Sequence, residues 1–211
     1  MSSGADDART AHRPSAPARP GLRERKKAKT RAAIQRHALR LFKKRGYDET
    51  TVEDIAEAAE VSPSTFFRYF PTKEDVVMYD VFDPVLLASL RSQPRGLDPV
   101  RAMRAAMRQV FRDMDEEDRE DLLEREALFR LVPDLRARMM DELLRTVSVL
   151  ARIIAERTGR RAGDLGVRVV AGAIIGALIS AWLTEEGESL GVDTYRGMDR
   201  ALEKLESGLS L

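Results

Sequence analysis

Between Thr50 and Glu74 the chain reads TTVEDIAEAAEVSPSTFFRYFPTKE, a stretch with little freedom in how it can fold. Thr50 stands three residues before Glu53, the Ser/Thr-x-x-Glu spacing of a capping box, in which each side chain satisfies an orphan backbone N–H. Val52, Ile55, Ala56 and Ala59 follow at helical spacing and make one apolar stripe on a two-turn helix. Ser62-Pro63 is a second start signal, a hydroxyl cap followed by a residue whose fixed φ suits the first helical position. Two short amphipathic helices joined by so tight a turn read as a helix-turn-helix, the unit whose second helix enters the DNA major groove.

The charge distribution points to a polyanion at this end alone. The first fifty residues hold fourteen Lys/Arg against five Asp/Glu, although the whole chain carries only +1. Residues 1–21 are rich in Ser, Ala, Pro and Arg without an apolar run and are expected to form a disordered basic tail. No hydrophobic stretch of a secretory signal follows, and Asp6 and Asp7 oppose a transit peptide, so a cytoplasmic location is expected. From Leu22 to Arg45 the pattern is helical. Ile34, Ala38, Leu41 and Phe42 share a stripe, Arg31, Gln35, Arg36, Arg40, Lys43 and Lys44 lie off it, and Gly46 ends it. The run RERKKAKTR at 23–31 reads two ways, as solvated surface or as an arm reaching phosphates with Lys29 as its candidate contact.

There is no cysteine, which removes disulfides and thiolate metal sites. His12 and His37 are the only histidines, so no metal site or cofactor is expected, and an enzyme would have to be assembled from His37 and scattered surface carboxylates. The acidic run at 113–118 lacks the glycine and oxygen spacing of a calcium loop and reads as solvated surface.

The segment GYDETTVEDIAEAAEVSPSTFFRYFPTKEDVV resembles the DNA-binding domain of the TetR family of bacterial transcriptional regulators. The family pattern runs Gly-aromatic, a Thr-rich helix start, an Ile-Ala pair, a Val-Ser turn and an aromatic-rich short helix closed by Phe-Pro-x-Lys, and the match covers Lys29 to Val77. The resemblance implies that Thr51 and Lys73 contact the DNA backbone and that Ser62, Pro63, Ser64, Thr65, Phe67 and Tyr69 form the recognition surface. Phe66 and Phe70, at i and i+4, are expected to be core. Two residues depart from the pattern: Glu60 stands where relatives carry a turn glycine, and Phe67 where they carry tyrosine.

Beyond Asp83-Pro84 and the break at 92–99, the chain reads as further helices. Asp98-Pro99 opens one, Leu122–Leu131 is a short one, and Leu135 to Gly159 a long amphipathic one. Methionines and aromatics from these helices (Met103, Met107, Phe111, Phe129, Met139, Met140, Leu143) and Trp182 are the candidate lining of a ligand cavity. The apolar run Val169–Leu183 is shorter than the roughly 20 residues of a membrane span, so no membrane is expected. Its small-residue face supplies the expected homodimer contacts Val169, Gly172, Ala173, Gly176, Ile179 and Ser180, with Tyr195, Met198, Leu202 and Leu205 of the last helix as a partner stripe. Residues 120–187 resemble the branch of the family containing the mycofactocin-system regulator, which implies an acyl or acyl-CoA-like effector. The expected fold is all-α: a tail (1–21), a three-helix DNA-binding domain (22–83) and a larger helical effector-binding and dimerisation domain (84–211). The expected function is a ligand-released repressor on a palindromic double-stranded operator; the alternative is a helical ligand-binding dimer with degenerate DNA binding.

Overall fold

A computed structural model describes residues 21–79, 82–184 and 192–209, so the expected tail lies outside the described residues apart from Gly21. The described residues form ten helices. The first four are α1 (Leu22–Arg45), α2 (Val52–Ala58), α3 (Pro63–Tyr69) and α4 (Lys73–Met78). There follow α5 (Phe82–Ser92), α6 (Pro99–Asp113), α7 (Glu116–Leu131), α8 (Pro133–Thr158), α9 (Leu165–Thr184) and α10 (Val192–Glu206). The fold is all-α with an N-terminal helix-turn-helix, as the sequence implied.

Two apolar cores organise it. In the first, Ile34, Ala38, Leu39 and Phe42 of α1 meet Ile55, Phe66, Phe70, Val76 and Val77, all essentially buried. In the second, Met103, Met107, Leu150, Ile153, Ile154, Ala171, Ile174 and Leu202 draw α6, α8, α9 and α10 together. The expected stripe on α1 is therefore shifted: Leu39 is in the core and Leu41 only half-buried. Gln35, placed off the stripe, is buried because its Nε2 donates to two carbonyls at the end of α4, Val76 O at 2.8 Å and Tyr79 O at 2.6 Å.

Several expected boundaries move for local reasons. The capping box lies one residue later, on Thr51 and Asp54, while the Thr50 hydroxyl donates to Gly46 O at 2.8 Å. The acidic run at 113–118 is largely the first turn of α7. Asp115 is its N-cap, accepting from Asp118 N–H at 2.8 Å, so α7 is longer than Leu122–Leu131. Asp83-Pro84 sits in the first turn of α5, where proline is tolerated, and α5 packs on α6 and α8. α9 begins at Leu165, and its stretch Leu165–Leu183 has a mean hydropathy of 1.9, so length alone does not separate it from a membrane span. Its interior partners place it in the protein instead: Val167, Ala171, Ile174 and Trp182 are buried against neighbouring helices.

Candidate nucleic-acid interface and ligand cavity

The turn between α2 and α3 closes by a pair of reverse hydrogen bonds. Val61 N–H donates to Ala56 O at 2.9 Å and Glu60 N–H to Glu57 O at 3.0 Å, the two bonds of a Schellman motif. That motif needs a left-handed residue at its C′ position, and Glu60 occupies it with φ +53°. A non-glycine residue there costs about 1–2 kcal/mol. Ser62 then caps α3, its Oγ accepting from Thr65 N–H at 3.1 Å and lying 3.0 and 2.9 Å from the Ser64 and Thr65 hydroxyls.

These constraints decide which faces α3 buries. Phe66 and Phe70 point into the core and are fully buried. Pro63, Ser64, Phe67 and Arg68 point to solvent, Phe67 half exposed with its ring edge-on to Phe66 at 5.5 Å. Thr65 and Tyr69 are half-buried at the sides, with the Arg68 guanidinium 5.4 Å from the Tyr69 ring. Arg68 was not among the sequence candidates, yet it shares the outward face with Ser64, one turn earlier. The i, i+4 spacing was the signal for it. Lys29 lies on an exposed turn of α1, and Thr51 uses its hydroxyl in its own capping box.

Lys73 has a structural role within the chain. Its ammonium turns inward, donating to Tyr47 O at 2.8 Å and Thr50 O at 3.1 Å and lying 4.3 Å from the Tyr47 ring centre. The side chain thus ties α4 to the loop that precedes α2. Tyr47 in turn donates to Glu74 Oε1 at 3.0 Å, and burial together with that carboxylate pushes its phenol well above the ordinary range.

α4 is the junction between the two halves. Asp75 pairs with Arg138 of α8 at 2.7 Å, Val76 O and Tyr79 O accept from Gln35 of α1, and Val77 O accepts from Arg125 Nε of α7 at 3.0 Å. Burial alone would raise the Asp75 carboxyl, but the bonds from Arg138 and Thr72 hold it below its ordinary range. A second bridge runs along α1, where Arg36 and Arg40 pair with Glu117 of α7 and Lys43 with Glu124.

Met78, the last residue of α4, also lines a cavity of about 260 Å³ in the helical body. Met107, Phe111, Phe129, Met139, Leu143 and Trp182 line it too, brought together from α6, α7, α8 and α9. Met103 does not: one turn nearer the start of α6, it is 2% exposed in solid core. Met140 does not either; it lies about 100° round α8 from Met139, and both pack against the first core. The cavity's polar residues, Asp83, Arg125, Glu126, Glu142, Thr146 and Thr194, had no distinguishing signal, because in sequence they sit in ordinary charged or small-polar stretches.

The last two helices divide the expected dimer residues between the cavity, the core and an open face. Tyr195 and Met198 line the cavity, Tyr195 stacked on Phe111 with ring centres 4.0 Å apart, and Ile179 lines it as well. Leu202 is fully buried and Leu205 packs against the same core. The apolar stripe of α10 thus makes contacts inside its own chain, with Leu202 fully buried and Tyr195, Met198 and Leu205 half-buried. On α9, Leu165, Val169 and Leu183 are 58–75% exposed, and Gly176 and Ser180 lie on the same open side with Gly172 and Ala173 half-buried beside them.

Comparison with known proteins agrees with this architecture. Residues 34–78 match the family described as bacterial regulatory proteins, tetR family, and residues 97–210 match the MftR C-terminal domain. The chain is 43% identical to the HTH-type transcriptional regulator TcmR of Streptomyces glaucescens over 69% of this chain and 67% of that protein. It is 28% identical to MftR of Mycobacterium tuberculosis, described as a mycofactocin biosynthesis transcriptional regulator, over 79% and 86% of the two chains. Among solved structures, Thermus thermophilus FadR, a TetR-family repressor in complex with lauroyl-CoA, superposes with a TM-score of 0.53 at 28% identity, covering 86% of this chain and 95% of that one. These relatives are transcriptional regulators, not enzymes. With its helix-turn-helix and its MftR-type helical domain both matched, the chain belongs to the TetR family of bacterial transcriptional regulators, proteins that bind operator DNA and small-molecule effectors and act as dimers.

Proposed function

We propose that this chain is a cytoplasmic homodimeric repressor released from a palindromic operator by an apolar effector. The observation that carries the proposal is the dual position of α4: it braces the helix-turn-helix and ends in the wall of the cavity. In this reading the outward face of α3, Pro63, Ser64, Phe67 and Arg68 with Tyr69 at its edge, enters the major groove. The exposed small and apolar side of α9, from Leu165 to Leu183 through Gly172 and Gly176, meets its copy in a second subunit. A Cβ built on either glycine meets nothing within 4 Å inside the chain, so the space over both is open to a neighbour from outside it. The dimer must hold its two α3 helices about 34–36 Å apart, or a multiple, to meet successive grooves.

An effector that moves Met78 or the Arg125 guanidinium would move α4, since Arg125 holds Val77 O directly. Release then requires tighter binding to the conformation whose α3 spacing misfits the operator. An acyl or acyl-CoA-like effector is supported by the lauroyl-CoA bound to the Thermus relative and by the Met-rich, aromatic lining here.

Electrophoretic shift on DNA flanking the chain's own gene tests the operator half, with salt-sensitive binding to a palindrome expected. Absence of binding to any palindrome there refutes repression at that locus. Native mass spectrometry of the purified protein tests the effector. A co-purifying acyl chain or thioester is expected, and a flat cationic molecule overturns the acyl reading.

A further inference from the structure

The first three turns of α1 have no counterpart in the core. α1 begins at Leu22, but its first core residue is Ile34, and Arg23 and Arg25 to Lys29 are exposed on every face of the helix. From Leu22 to Arg31 the sequence holds six Lys/Arg against Glu24 alone. Among the described residues, Arg23, Arg25, Lys26, Lys27 and Lys29 have no ion-pair partner. Further along the same helix Arg36, Arg40 and Lys43 are neutralised by Glu117 and Glu124 of α7.

By itself this segment is a poor helix. Its like charges meet at i, i+3 and i, i+4 (Arg23 with Lys26 and Lys27, Lys29 with Arg25 and Lys26), each pair unfavourable. Its cations crowd the N-terminal end, where the helix dipole is positive and prefers anions. The N-cap Gly21 offers no side-chain cap bond. Short helices without a buried face are marginal in water, so continuity with the anchored turns after Ile34 is what holds it. A polyanion alongside would relieve the like-charge repulsion, which is its main liability.

We propose that residues 22–31 are a phosphate-binding arm for duplex DNA outside the half-site read by α3, and that its helix is consolidated when the duplex binds. The inference rests on the DNA-binding reading of α3. Duplex DNA is favoured because the arm and the helix-turn-helix share one rod: Ile34, Ala38 and Phe42, on the same helix, pack in the core that holds Phe66 and Phe70. The Arg31 guanidinium, at the root of the arm, lies 4.9 Å from the Phe70 ring and 3.9 Å from that of Tyr79. The ten residues span about 15 Å, a length over which one strand presents about four phosphates.

The test compares the full chain with a variant carrying Arg23→Gln, Arg25→Gln, Lys26→Gln, Lys27→Gln and Lys29→Gln, both bound to an operator duplex with long flanks and to one trimmed to the palindrome. On the long duplex the slope of log K against log salt should become shallower by about 0.9 for each lost phosphate contact, two to four contacts in all. The trimmed duplex should show a much smaller difference. Circular dichroism should record a gain of helix on adding the long duplex to the natural chain and none with the variant. Equal slopes for the two proteins on the long duplex, or no helix gain by the natural chain, would overturn the proposal. So would a slope change confined to anionic vesicles, which would make the arm a membrane contact. If the natural chain binds the palindrome and the slopes are equal, the arm alone has failed; if it binds no duplex at all, the reading of α3 has failed first.

Discussion

The core around α3 and the cavity region of the helical body are packed on opposite principles. Around α3 the space is filled: Ile34, Ile55, Phe66, Phe70, Val76 and Val77 are each 0% exposed, and every short helix is capped by its own sequence. In the helical body, methionines and aromatics leave about 260 Å³ unfilled beside Arg125 and Trp182. A filled core holds the α3 surface in one shape. A partly empty one lined with unbranched, polarisable methionine can accept a guest and rearrange around it. The connection between them runs through α4, a row of ion pairs from α1 to α7, and Phe129, Leu135 and Trp182, which pack in the core around α3.

The contrast can be broken by paired substitutions. Phe66→Ala should remove about 3–5 kcal/mol of unfolding free energy, the cost of emptying a fully buried aromatic site. Met139→Ala, at a wall that already borders empty volume, should remove only about 1–2 kcal/mol. Equal losses in denaturant melts would mean that the body is packed as tightly as the reading head.

A smaller effect concerns the bridge between the cores. Asp121 of α7 is pushed up to about 6, chiefly by burial, with Glu117 and Asp118 adding to it and Arg36, 4.0 Å away, opposing it. A carboxyl whose folded pKa is raised adds stability that is fully present below its unfolded pKa near 4 and is lost as pH rises through about 6. Asp121→Asn should therefore stabilise the protein at pH 7.5 and not below pH 4. The interval corresponds to at most about 3 kcal/mol, which water at the partly exposed side chain reduces to about 1–2 kcal/mol. Melts at the two pH values check the sign, and a pH-independent difference would refute it.

The smallest effect belongs to the turn. Glu60→Gly relieves a left-handed backbone but adds freedom to the unfolded chain, so the net gain should be about 0.5 kcal/mol. A loss of stability would show that Glu60 makes a favourable contact outweighing its strain.

What could be read in advance followed the range of the forces involved. The turn at Glu60 and the cap at Ser62 follow from neighbours within about five residues, and the i, i+4 spacing of Phe66 and Phe70 marks them as one apolar face; each was legible. The capping box slipped by a single residue because Thr50 and Thr51 each precede a carboxylate by three positions, and only the closure of Thr50 onto Gly46 chooses between them.

The sequence by itself determined an all-helical chain, the helix-turn-helix and the separation of a basic front from an acidic body, because caps, periodicity and charge are local properties, and its motif resembled the right family. Only the tertiary structure decided where each amphipathic stripe points. Gln35 is buried by carbonyls 41 and 44 residues away, the Lys73 ammonium is turned inward by Tyr47 and Thr50, and α10 packs Tyr195, Met198 and Leu202 inside its own chain. A helix carries its stripe in its spacing, but the partner that covers the stripe is chosen by packing among residues far apart in the chain.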